Sequence, residues 1–170
     1  MNGRTLGIII VGSALGLGAL MYWLQVYAFY RDVTAEEAGM SIVTAEGPRA
    51  LDVADFRGIN SDSSPIRFRA CFTVEAPGAL LADARLAEDA VPLNAPGWFD
   101  CFDAAGIGAD LESGAATALL ASENTPYGID RIIALYPDGR AVAWDQINRC
   151  GAEVFDGNAP PLGCPLPPAL

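Results

Sequence analysis

The chain has 170 residues, more than half of them hydrophobic, and a formal net charge of −11. It contains no histidine and no lysine. That excludes the imidazole base of Ser-His and Cys-His nucleophilic sites, Schiff-base and phosphate-loop lysines, and the commonest zinc and copper ligand.

Residues 6–30, LGIIIVGSALGLGALMYWLQVYAFY, carry no charge, and about 20 such residues suffice to cross a hydrocarbon core roughly 30 Å thick. The stretch predicts a transmembrane helix preceded by a short tail, residues 1–5. Tyr22, Trp23, Tyr27 and Tyr30, with Phe29, fall in its second half, where rings with polar edges suit the boundary between acyl chains and headgroups. Arg4 and the α-amino group precede the apolar run, whereas Arg31 is followed by Asp32, Glu36 and Glu37. This asymmetry predicts a cytoplasmic N-terminus and a periplasmic domain in a bacterial inner membrane. The competing reading is a signal peptide cleaved near Val26-Tyr27-Ala28, against which the run is long and its candidate site lies among bulky rings. Gly12 and Gly16 form a small-xxx-small pair, extended by Ser13 and Ala19, along which a second membrane helix could approach closely.

All 21 acidic residues lie beyond residue 30 with nine of the ten arginines, giving that part a formal charge of −12. Such a surface repels nucleic acid and anionic headgroups. Residues 31–40 are expected to form a linker, although Thr34-Ala35-Glu36-Glu37 has the pattern of a capping box. Residues 41–170 then form one domain. A strand is predicted at 41–44, turns at 60–64, and a secure strand over 65–74, where Ile66, Phe68, Ala70, Phe72 and Val74 share a face. A short amphipathic helix is expected over 78–90 with Leu80, Leu81, Ala84 and Leu86 inward, and a strand over 98–102. Residues 111–122 suggest a helix or loop followed by a short strand near Thr117. Two apolar runs, 129–136 and 140–147, flank Pro137-Asp138-Gly139 and predict a hairpin. A proline-rich tail follows Cys150. Together these elements predict an α+β architecture, a small antiparallel sheet with one or two helices against it.

The four cysteines, Cys71, Cys101, Cys150 and Cys164, lack CxxC spacing, which disfavours a redox pair or a thiolate metal site. An even number in an extracytoplasmic domain suggests two disulfides. Of the three possible pairings, Cys71–Cys101 with Cys150–Cys164 is preferred. Cys71 and Cys101 have similar strand-like neighbours, and the other two bracket the proline- and glycine-rich tail.

At Leu24-Gln25-Val26-Tyr27-Ala28-Phe29-Tyr30 and Pro137-Asp138-Gly139-Arg140-Ala141-Val142-Ala143-Trp144 the chain resembles an uncharacterised family of single-pass membrane proteins from alphaproteobacteria. The resemblance spans most of the chain and implies a bacterial inner membrane. It implies no activity and no functional residues. The label histidine kinase, sometimes given to its members, does not suit a chain without histidine or a nucleotide-binding motif.

Other constellations read as structural. Asp100 with Asp103, and Glu88 with Asp89, are carboxylate pairs without a calcium-loop series. Ser113 and Ser63-Ser64 lack a nearby base. Arg67, Arg69 and Thr73, on the polar side of the best strand, are expected to face acidic residues of a neighbouring strand. No cofactor or metal is expected. The resulting expectation is a non-enzymatic, membrane-anchored accessory or assembly factor of an inner-membrane complex, a respiratory one included. A periplasmic ligand-binding or sensing module is the alternative, and a carboxylate-based hydrolase, needing two carboxylates across a cleft, is a third class.

Overall fold

The computed structural model describes residues 2–168. It divides into two units, one up to Tyr30 and one from Arg31 onward.

The first unit is helix α1, Gly3–Trp23, continued by a π-helical turn, Leu24–Ala28. Asn2 caps it, its side chain accepting from the Thr5 N–H at 3.0 Å. No proline interrupts the run, and none of the helix's residues is buried. Its 26 residues from Gly3 to Ala28 extend roughly 39 Å at about 1.5 Å each, enough to span a bilayer. The α-amino group of Met1 lies outside the described residues.

The second unit begins at once. Strand β1, Arg31–Val33, runs antiparallel to β4, Val53–Asn60, with Val33 opposite Gly58. Val33 is buried, and a Cβ at Gly58 would lie 2.8 Å from its Cγ2. Helix α2, Ala35–Ala38, is one turn closed by the capping box of Thr34 and Glu37 and ended by Gly39 at φ +55°. The expected linker over 31–40 is therefore an edge strand and a capped turn. Val33 supplies the burial that a three-residue strand cannot announce by periodicity.

The strands β2 (Ser41–Thr44), β3 (Gly47–Ala50), β5 (Arg69–Val74), β6 (Thr117–Ser122), β7 (Ile129–Leu135) and β8 (Arg140–Ile147) complete the β-structure. Six strands form an antiparallel sheet in the order β1-β4-β5-β8-β7-β6, and β2 with β3 forms a hairpin. The alternation of β5 sends Phe68, Ala70, Phe72 and Val74 to one face. There they meet Ile133, Leu135, Ala141 and Ala143 under Met40 and Ile42. Helix α3, Pro77–Asp83, adds Leu80 and Leu81 to this layer.

Beyond Asp83 the expected helix gives way to extended chain. Arg85 N–H donates to Val43 O at 2.8 Å, and Leu120 N–H donates to Arg85 O at 2.9 Å. The segment thus joins the hairpin to β6, whose backbone groups outcompete continuation of a helix. Leu86, expected inward, is 59% exposed.

The opposite face is covered by the chain from Glu88 to helix α4, Ala104–Ser113. Trp144 is fully buried there, edge-on to Phe102 at 6.2 Å. Residues 98–102, expected as a strand, form turns in which Phe99 N–H donates to Pro96 O and Phe102 N–H to Phe99 O. Phe99 and Phe102 are both buried. Their spacing of three suits a turn, not the two-residue period of a strand.

Around Pro137-Asp138-Gly139 the hairpin pairs Ile129 with Ile147 and Leu135 with Ala141. Gly139 has φ +89°, and a Cβ there would lie 2.7 Å from Val74 O. Gly139→Ala is expected to cost about 2 kcal/mol, from left-handed backbone strain and a contact that the β5 backbone cannot relieve. Urea unfolding of the variant measures it. Helix α5, Arg149–Phe155, is capped by Asn148, which accepts from the N–H groups of Cys150 and Gly151.

Candidate functional site

Two disulfides are formed, Cys71–Cys101 with a Cα–Cα distance of 6.3 Å and Cys150–Cys164 at 5.7 Å. The first ties the layer over the Trp144 face to β5. The second ties the proline-rich tail to α5.

Most polar groups singled out in the sequence have structural employment. Arg69 is only 3% exposed. It donates to the carbonyls of Ile66 and Phe68 and, in the covering chain, to those of Leu93 and Asn94, and it acts electrostatically on Asp145 of the neighbouring β8. Asp100 accepts from Arg57 at 2.8 Å, and Asp103 caps α4 by accepting from Ala105 N–H. The Ser113 hydroxyl donates to Asp110 O, and the Thr73 hydroxyl, facing β4 as expected, lies within hydrogen-bond distance of Ala54 O and Asp55 Oδ2. Among the described residues no three Cys, Asp or Glu side chains converge as a metal site.

Gly12 and Gly16 lie on open helix surface, where an added Cβ would meet nothing within 4 Å. Tyr22 and Trp23 are exposed near the end of α1. The π-helical turn went unforeseen. Its widened winding brings i and i+5 together, so Tyr22 and Tyr27 meet edge-on at 6.4 Å. Tyr30 is half-buried.

A groove of about 650 Å³ lies between the 85–89 segment, the ends of β6, β7 and β8, and the start of α5. Most of its polar groups are engaged. Arg85 pairs with Glu123, which raises the guanidinium pKa through their hydrogen bond. Asp130 accepts from Asn124 N–H and Asn148 Nδ2, both at 2.7 Å. Gln146 accepts from Val91 N–H and Trp144 Nε1 and donates to Asp89 O. Glu88 and Asp89 on the rim are exposed, and neither side chain has a hydrogen bond or ion pair among the described residues. Such a lining can recognise a partner by charge and apolar contact; it offers no paired nucleophile and base.

The family model that matches the chain covers residues 39–165, from just before β2 to just past Cys164, and so takes in both disulfides and the whole groove. The chain belongs to DUF6446, a family of unknown function. The DUF6446 match leaves α1, β1 and α2 outside it. No curated protein and no solved structure matches the chain.

Within the DUF6446 region a smaller cleft, about 340 Å³, adjoins Cys71–Cys101. Tyr136 donates its hydroxyl to Asp110 Oδ2 at 2.8 Å there, with the Arg140 guanidinium 4.5 Å from its ring centroid. Burial, then the bond to Asp110, pushes its pKa up to about 12. The neutral phenol is the form the fold favours. Its contribution to stability is therefore complete below the ordinary tyrosine pKa of about 10 and is lost as pH rises toward 12. An ultraviolet titration compared with that of Tyr136→Phe should place the Tyr136 transition at about 12. Asp110→Asn should bring that transition down only part of the way, because burial is the larger cause.

Proposed function

We propose that this protein is a single-pass inner-membrane protein of bacteria, with its N-terminus in the cytoplasm and its DUF6446 domain in the periplasm. In this reading it is a non-enzymatic accessory or assembly factor of a larger membrane complex, a respiratory complex being one such setting. The observation that carries this reading is the uncovered apolar surface of α1, including the strip at Gly12 and Gly16, on a chain whose other unit is stapled by two disulfides. Disulfides persist in oxidising compartments, which supports the outward placement of the domain. Close helix packing in lipid rests on small residues, which supports a partner helix. Tyr22, Trp23, Tyr27 and Tyr30 serve as the interfacial anchor in this arrangement.

The test is extraction in mild detergent followed by native electrophoresis and co-purification. The protein is expected to migrate in a larger assembly, and replacing Gly12 and Gly16 together by leucine is expected to release it. Migration as a lone chain, with that double variant behaving like the wild type, would end the proposal.

A further inference from the structure

Glu88 and Asp89 share the groove lining with apolar side chains. Leu86 and Ile147 line the groove at 59% and 44% exposure. Arg149 and Cys150, also in the lining, each hold the C-terminal strap. Arg149 Nη2 donates to Leu162 O at 3.2 Å, and Cys150 is bonded to Cys164. The Tyr127 hydroxyl fixes the strap again at Pro165 O, 3.0 Å away. Two leucines of this strap nevertheless stand in solvent, Leu162 at 97% and Leu166 at 83% exposure. Contiguous exposed apolar surface rimmed by polar groups marks interaction sites.

We propose that the groove and the strap together dock a segment of a partner protein in which arginine or lysine side chains alternate with apolar ones. This deepens the accessory-factor reading and rests on it. Charge decides the chemistry of the partner. The groove lining holds four carboxylates, Glu88, Asp89, Glu123 and Asp130, against the two guanidinium groups of Arg85 and Arg149, and Arg85 is already paired with Glu123. The domain's formal charge of −12 steers cationic segments toward it and turns nucleic acid and anionic lipid away. Recognition proceeds through side chains and not by strand addition, because the 84–87 backbone is already claimed by β2 and β6.

The experiment uses the full chain in zwitterionic lipid nanodiscs and a fluorescent octapeptide of alternating arginine and leucine, with empty nanodiscs subtracted. Saturable binding is expected. Glu88→Lys with Asp89→Lys should weaken it by about tenfold or more, and Leu162→Ser should weaken it several-fold. Glu46→Lys with Asp52→Lys, equal in charge but on and just after the β2–β3 hairpin, should leave it within about twofold. No binding, equal loss in the two charge-reversed pairs, or equal binding of a peptide with serine in place of leucine would each overturn the proposal. Co-purification of the Glu88→Lys, Asp89→Lys protein separates the two readings. A complex that survives while peptide binding is lost removes the docking surface and spares the accessory role; failure of the wild type to co-purify removes that role, and the titration still decides the groove.

Discussion

Replacing Asp145 by alanine is expected to destabilise the domain by about 3–5 kcal/mol, the range for stranding one member of a buried ion pair. Asp145 faces Arg131 across β7 and β8, with Nε–Oδ1 at 2.7 Å and Nη2–Oδ2 at 3.1 Å. The two side chains are only 10% and 19% exposed. Arg131 also donates from Nη1 to Ala38 O at 2.8 Å, and its guanidinium lies 3.6 Å from the Phe68 ring centroid. It thereby ties the end of α2 to the sheet. Burial raises the Asp145 pKa above the ordinary carboxylate value, more than Arg131 pulls it down. A raised folded-state pKa means that the fold is favoured by the protonated form. This contribution is therefore greatest at low pH and declines as pH rises through the folded-state pKa. The pair is thus costly to ionise and costlier to break. Arg131→Met with Asp145→Leu should recover most of the loss, since a packed apolar pair replaces two desolvated charges. Denaturant unfolding of the single and double variants measures the difference, and single variants within about 1 kcal/mol of wild type would contradict a shared buried bond.

What the sequence could show depended on whether the information was local. The alternation over 65–74, the Pro-Asp-Gly hairpin and the Thr34-to-Glu37 capping box each complete their signal within about ten residues; the hairpin and the box are present, and the strand forms over Arg69–Val74, residues 65–68 being turn and irregular chain. Strand β4 was not legible. Its pattern is interrupted by Asp55 at φ +51° with a shift of register before Arg57, and Gly58 leaves room for neighbours instead of filling space. The extended segment after Asp83 was hidden for another reason. Its helical propensity is genuine for a few residues, and only the free edges of β2 and β6, both distant in sequence, convert it.

The candidate groove was less legible than the fold, because it is assembled from four separated stretches. Glu88 and Asp89 stood out as an acidic pair, yet nothing local distinguished them from Asp100, which the fold pairs with Arg57. Arg69 was legible in part. Its place on the polar side of a strand suggested a cation facing neighbouring carboxylates, and it does act on Asp145 of β8, but two carbonyls of its own segment and two of the covering chain hold it buried. Asp145 carries no local mark among the 21 acidic residues, and only the register of β7 against β8 makes it half of a buried pair.

Losing the Cys71–Cys101 bridge is expected to cost about 2–5 kcal/mol, and more than losing Cys150–Cys164. The closed loops differ by sequence separations of 30 and 14, which alone makes a difference below about 1 kcal/mol in the chain-entropy relation. The larger contrast lies in the folded state. Without Cys71–Cys101 the covering chain is still held by Arg69, by Gln146 and by Phe102 against Trp144, so the native state gains little freedom while the unfolded chain gains much. Without Cys150–Cys164 the strap keeps the bonds of Arg149 and Tyr127. With Leu162 and Leu166 already exposed, it can loosen without uncovering a core, and that native-state entropy offsets part of the loss. Urea unfolding of Cys71→Ser and Cys150→Ser, each with its partner cysteine also replaced, compares the two. The same cysteines test compartment. In intact cells quenched with acid, all four should resist alkylation until reductant is added; four thiols alkylated without reductant would place the domain in the cytoplasm and reverse the proposed topology.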